Sequence, residues 1–121
     1  MKRKVNFMAL HHAKPGEIVE LQPLGSKLNE ANTSAIIKSR HFEAIHLVVR
    51  AGTEIPPHEV SGNITLHCLE GHVELGLDNT AIKLKANQWV YLDGSTPYSV
   101  KGVKDSSLLL TILFDAEAKK L

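Results

Sequence analysis

The sequence has a single cysteine, Cys68, in 121 residues, so the chain cannot form an internal disulfide bond. It contains no apolar stretch near the roughly 20 residues that a membrane-spanning helix needs. The apolar run FMAL close to the start is too short for the hydrophobic part of a signal peptide. These absences predict a protein without membrane association that lives in a reducing compartment, for which the cytoplasm is the simplest choice.

The sequence also lacks an excess of charge of either sign. Its 14 Lys and Arg residues and 13 Asp and Glu residues leave a net charge of +1 with histidine neutral. The basic start MKRK is too short to form a binding patch by itself. The charge balance therefore gives no reason to expect nucleic acid or a strongly charged surface as a partner.

Short segments rich in β-branched and aromatic residues follow one another from residue 34, separated by turn signals. They are SAIIKS, FEAIHLVV, NITLHCLE, HVELGL, AIKLK, QWVYL, YSVKGV and SLLLTILF. Successive short strands of this kind predict an all-β sandwich or barrel rather than alternating strands and helices. We expect residues 34–114 to form one barrel domain, since 121 residues suffice for a single buried core.

The segments before and after residues 34–114 have less regular sequence patterns. Residues 5–12 favour a short helix, and a Pro-Gly turn follows it. Residues 17–24 alternate polar and apolar positions, which predicts a first strand. Residues 25–33 are polar and rich in turn-forming residues, which predicts a loop. We expect residues 1–33 to pack on the barrel and residues 115–121 to form a C-terminal tail.

The stretch from Gly52 to Gly71 has the spacing of a known motif. Five residues separate Gly52 from His58, one separates His58 from Val60, three separate Val60 from Ile64, and six separate Ile64 from Gly71. This spacing resembles the first motif of the cupin superfamily, in which two histidines and a glutamate occupy the three middle positions. The resemblance implies a jelly-roll barrel, also called a double-stranded β-helix, built from two sheets.

A second stretch, NQWVYLDGSTPYSV, resembles the second cupin motif and places Tyr98 where that motif has its histidine. Metal-binding cupins use the four motif positions as ligands, but this chain retains only His58. Val60 and Ile64 have no donor atom, and a phenol is a poor ligand. Because a transition-metal site needs three or four donors, we predict no metal and no cofactor.

Strand alternation adds Cys68 to the residues expected to face the barrel interior, together with Ile64. A His58–Cys68 pair would still be two donors short of a metal site. The predicted ligand-binding residues are therefore His58, Val60, Ile64, Cys68 and Tyr98. They would line either an open pocket or a filled core, and the sequence leaves both possibilities open.

Three classes of function fit this interior. The favoured one is non-catalytic binding or sensing of a small, largely apolar ligand. The resemblance also allows an enzyme: either a metal-dependent dioxygenase or isomerase with an unusual ligand set, or a metal-free epimerase with His58 as general base and Tyr98 as general acid. The third is a structural protein whose main property is self-association.

A homodimer is expected in each case. SLLLTILF and AIHLVV carry more apolar surface than one small sandwich can cover, and the resemblance also implies two-fold dimers.

Overall fold

The computed structural model describes residues 12–58, 62–94 and 96–114, which contain nine strands and one short 3₁₀-helix at Gly25–Glu30. No helix in these ranges has the length and apolar character needed to cross a membrane. The strands are β1 (Ser34–Lys38), β2 (Phe42–Val49), β3 (Glu54–His58), β4 (Gly62–Glu70), β5 (His72–Gly76), β6 (Ala81–Lys85), β7 (Trp89–Leu92), β8 (Tyr98–Gly102) and β9 (Ser106–Phe114).

The strands form two antiparallel sheets that face each other. The five-stranded sheet has the order β1-β2-β9-β4-β7, and the four-stranded sheet has the order β3-β8-β5-β6. Along β4 every second residue from Ile64 to Cys68 is buried, while the residues between them are half-buried, so each strand turns one side toward the core. The core consists of Leu47, Val49, Ile64, Leu66, Cys68, Val73, Leu75, Leu84, Leu92, Tyr98, Val100, Leu108, Leu110 and Ile112. The fold is thus the predicted all-β double-sheet architecture.

Each of the eight strands predicted from residue 34 onward is present with its ends within one residue of the expected position. The sequence reading missed β3, because the consecutive Pro56 and Pro57 were read as part of a turn. This strand lies at an edge of its sheet and pairs only with β8, with a register shift between Ile55 and His58. An edge strand tolerates proline because one side of its backbone needs no partner.

Two expectations for the N-terminal region were wrong. Residues 17–24 form no strand, and Ile18 is 84% exposed, because the alternating pattern there has no neighbouring strand to pair with. Part of the predicted loop, Gly25–Glu30, is a 3₁₀-helix that buries Leu28. Residues 5–11 of the predicted helix and the tail at 115–121 lie outside the described residues.

Gly71 joins β4 of one sheet to β5 of the other, and its backbone has a φ of 93°. A Cβ at this position would overlap the hydroxyl of Ser106 and the carbonyl oxygen of Asp105. Gly52 also has a positive φ, 83°, but a Cβ there would meet nothing within 4 Å. The two glycines that frame the first motif therefore differ in steric constraint, although both need the left-handed conformation.

We expect Gly71→Ala to lower the free energy of unfolding by about 3 kcal/mol, since strain and overpacking add. Gly52→Ala should lower it by only about 1 kcal/mol, because it adds backbone strain alone. Urea denaturation of both variants measures the difference. Equal losses at the two positions would show that the crowding around Gly71 is unimportant.

Candidate functional site

The two cupin-like motifs meet at one end of the barrel. The first motif contains β3 and β4, and the second contains β7, the turn that leads into β8 and the start of β8. The side-chain oxygen of Asn63 accepts a hydrogen bond from the backbone N–H of Gly94 at 2.9 Å, which ties this turn to the start of β4. This end of the barrel, here called the motif end, is where the predicted site should lie.

Tyr98 and the backbone of His58 are brought together at the motif end. The two residues are direct partners in the antiparallel pairing of β3 with β8. Tyr98 is only 2% exposed and belongs to the core, and its burial raises the pKa of the phenol to about 12. Tyr98 therefore stays neutral over the physiological pH range and keeps its O–H as a hydrogen-bond donor.

The fold divides the other predicted site residues between the two ends of the barrel. Ile64, 1% exposed, lies near the start of β4 and so belongs to the motif end. Cys68 lies four residues further along β4, about 13 Å away at the rise of a strand. Val60 lies outside the described residues. Cys68 is thus separated from the pair of strands that carries His58 and Tyr98.

The environment of Cys68 makes its thiol unreactive. The side chain is fully buried, and its sulfur donates a hydrogen bond to the carbonyl oxygen of Glu70 at 3.4 Å. Burial, together with the nearby Glu70 carboxylate, raises the pKa of the thiol, so the thiolate that nucleophilic chemistry requires is disfavoured. Among residues 12–58, 62–94 and 96–114 no three His, Cys, Asp or Glu side chains are grouped so that they could hold a metal ion.

A polar cluster that the sequence reading did not identify lies on the outside of the five-stranded sheet. Glu70 accepts hydrogen bonds from the backbone N–H groups of Leu24 at 2.8 Å and Gly25 at 3.1 Å. It also accepts one from the hydroxyl of Ser107 at 2.7 Å. Desolvation opposes ionisation, but these hydrogen bonds outweigh it and lower the pKa of Glu70. Glu70 therefore holds residues 13–25, here called the N-terminal strap, against the sheet.

A half-open cavity of about 260 Å³ lies between the strap and strands β1 and β2. Its wall includes His46, whose Nε2 is buried without a hydrogen-bond partner in the described part of the chain. Burial lowers the pKa of His46, and the negative charge of Glu70 partly offsets that effect. The remaining lining residues are Ala13, Glu17, Val19, Glu20, Leu21, Ser34, Ala35 and Ile36. Alternation along β2 places His46 on the outward side, but the sequence did not predict which part of the barrel the N-terminal segment covers.

Solved structures that superpose on this chain identify the fold. A RmlC-like cupin protein with a double-stranded β-helix fold from Methanocaldococcus jannaschii superposes with a TM-score of 0.69 at 14% identity, over 88% of this chain and 100% of that one. The chain has the cupin fold. A RmlC-like cupin from Desulfovibrio desulfuricans matches at 27% identity with a TM-score of 0.62, over 67% of this chain and 79% of that one.

One of the similar solved structures is named as an enzyme. The DMSP lyase DddQ from Ruegeria pomeroyi matches with a TM-score of 0.63 at 17% identity, over 70% of this chain and 47% of that one. No protein-family model matches the sequence, and no curated protein matches it significantly. At these identities the likeness establishes the cupin fold and leaves the activity to be argued from the site.

We expect Glu70→Gln to loosen the strap, because the amide replaces charge-assisted hydrogen bonds by weaker ones. Amide hydrogen exchange at Leu24 and Gly25 should become about fivefold faster, which corresponds to about 1 kcal/mol. Glu54→Gln, at an exposed position on β3, is the matched control and should leave these amides unchanged. Unchanged exchange in Glu70→Gln would mean that the strap is held by other contacts.

We expect the protein to lose stability as the pH rises from about 10 to about 12. The folded pKa of Tyr98 is raised above its ordinary value of 10.0, so the unfolded chain releases this proton first and is favoured in that window. The contribution is complete below pH 10. Urea denaturation of wild type and Tyr98→Phe across this range measures it. Parallel pH profiles for the two proteins would contradict the assignment.

Proposed function

We propose that this cupin binds a small, largely apolar molecule at the motif end of the barrel without catalysing a reaction on it. The observation that carries the proposal is a buried, neutral phenol, that of Tyr98, whose backbone is paired directly with His58. A neutral phenol is a hydrogen-bond donor, so it suits a ligand with a carbonyl or carboxylate oxygen.

The proposed apolar character of the ligand is supported by the core residues that the five-stranded sheet contributes near the start of β4. Ile64, Leu92 and Ile112 are core residues, and the pairing of β4 with β7 and β9 places all three in one row. Ligand pockets commonly combine such an apolar wall with a few polar groups that fix orientation. Ile64 and Tyr98 at the motif end are 1% and 2% exposed, nearly as buried as Leu66, Cys68 and Leu108, so the choice between an open pocket and a filled core stays a prediction.

The chemistry of the side chains supports binding over catalysis. The Cys68 thiol is buried and protonated and lies at the opposite end, so it supplies no nucleophile. A phenol with a pKa of about 12 donates a proton reluctantly near neutral pH, which weakens its role as a general acid. One free, buried thiol also fits a reducing compartment such as the cytoplasm, where we place the protein.

The epimerase-like alternative retains one argument. His58 and Tyr98 are direct partners in the backbone pairing of β3 with β8, and an imidazole and a phenol are two groups that an acid–base pair can use. Proton exchange at a carbon next to a carbonyl group in a bound ketone would favour this alternative over simple binding.

The proposal is tested by titrating ¹⁵N-labelled protein with benzoate, acetophenone and hexan-2-one and following the backbone amides by NMR. We expect shifts at Ile64, Tyr98 and Val100 for at least one probe, and none at Leu108. Tyr98→Phe should weaken that binding about tenfold, since it removes one hydrogen bond. The chain has two tyrosines, and Tyr91→Phe, on the exposed face of β7, is the matched control.

Two results would contradict the proposal. Equal affinities for wild type and Tyr98→Phe, or no binding of any probe, would favour the structural interpretation. A near-stoichiometric transition metal in the untagged protein that is lost in His58→Ala would favour the metal-dependent enzyme. Elemental analysis of the two samples therefore accompanies the titration.

A further inference from the structure

The cavity between the strap and strands β1 and β2, here called the strap cavity, has a wall that is fixed at both ends. Near the start of the strap, the backbone N–H of Ala13 donates a hydrogen bond to the carbonyl oxygen of Ile36 at 2.7 Å. At the other end, the backbone N–H groups of Leu24 and Gly25 donate to Glu70. The strap therefore crosses the cavity as a bridge between two attachments.

The side of the cavity that the strap contributes is acidic. Glu17 and Glu20 are exposed residues that both line it. Lys14 is exposed on the same strap, but in the part of the chain that the structure describes neither a lysine nor an arginine belongs to the cavity wall. Two negative charges beside a half-open cavity attract a cation and repel an anion.

The side that the sheet contributes contains an imidazole able to accept a hydrogen bond. His46 lies opposite Ser34 of β1 and Leu109 of β9, and its Nε2 is buried without a hydrogen-bond partner among the described residues. Burial lowers the pKa of His46 and the charge of Glu70 only partly offsets this, so the ring is neutral near pH 7 and one nitrogen is an acceptor. Its χ2 is a soft torsion, so the ring can turn a nitrogen toward a bound donor.

The rest of the wall is apolar and the space is small. Val19 and Leu21 of the strap face the cavity, as do Ala35 and Ile36 of β1. Its volume of about 260 Å³ is just below the roughly 300–1,000 Å³ of ordinary ligand pockets, which suits a molecule of few atoms. The described His, Cys, Asp and Glu side chains form no group of three that could hold a metal ion, so an organic cation fits this wall better than a metal.

We propose that the strap cavity binds a small primary alkylammonium ion, with its chain against the apolar wall and its charged head on the side of Glu17 and Glu20. The ammonium group donates one hydrogen bond to the imidazole of His46, and the two carboxylates stabilise its charge. This site is separate from the one at the motif end. His46 lies in the row of Leu109 and His67 on the outward side of the sheet, toward the end of β4 that is far from Ile64.

The proposal is tested with probes of equal chain length and different head groups: pentylamine, which is cationic at neutral pH, neutral pentan-1-ol and anionic pentanoate. Each is titrated into ¹⁵N-labelled protein while the backbone amides are followed by NMR. For pentylamine we expect saturable shifts at Val19, Ala35, Ile36 and His46. Its Kd should be on the order of 1 mM, as for a ligand of about six non-hydrogen atoms. Pentan-1-ol should bind about tenfold more weakly, and pentanoate should leave these amides unchanged.

Two sets of substitutions separate charge from hydrogen bonding. Glu17→Gln combined with Glu20→Gln should weaken pentylamine binding about tenfold, because it removes both charges and keeps the size of the side chains. His46→Phe should weaken it about fivefold, because the ring stays and the acceptor is lost. Glu54→Gln, at an exposed position on β3 of the other sheet, is the matched control and should leave the affinity unchanged. Amide spectra outside the strap verify that each variant is folded.

Three results would overturn the proposal. Equal affinities for pentylamine and pentan-1-ol would show that the cavity is merely apolar. Equal affinities of the wild type and the folded double glutamine variant would show that the glutamates do not select a cation. Pentylamine shifts confined to Tyr98 and Val100, or no shifts at all, would show that the strap cavity is not the site.

Discussion

The register between β4 and β9 is the constraint on which the rest of this structure depends. It pairs Ile64 with Ile112 and Cys68 with Leu108, so one side of both strands is apolar and buried. A slip of one residue would turn these side chains outward and bury Thr65 and its neighbours instead. The same register therefore decides which side chains face the barrel interior and which face outward.

The two ends of the barrel have different properties because their loops differ. At the motif end, the turn before β8 is tied to the start of β4, and the buried phenol of Tyr98 introduces a polar atom into an apolar wall. At the other end, Gly71 allows β4 and β5 to join closely, and the interior is filled by aliphatic side chains. A ligand site at one end is compatible with a fully packed core at the other, since the closed end keeps the sheets in place.

Glu70 fixes the N-terminal strap to the outward side of the five-stranded sheet. It follows the β-bulge after Cys68, so its side chain lies on the outward side with Ser107. From there its carboxylate fixes the strap across one end of the sheet, which covers His46 and leaves Trp89 and Tyr91 exposed. The outward side of the sheet is therefore bordered at one edge by the strap, with the exposed charged residues Lys14, Glu17 and Glu20, and at the other by aromatic side chains.

The sequence alone determined the all-β class, eight of the nine strands and the inward direction of Ile64 and Cys68, because strand alternation is a local property. It also identified Tyr98 as the residue at the histidine position of the second motif. It did not find β3, since whether Pro-Pro belongs to a turn or an edge strand depends on the neighbouring β8. Only the tertiary structure separated Cys68 from Tyr98 and placed Glu70 against the strap. Such relations join residues far apart in the chain, and no local pattern encodes the distance between them.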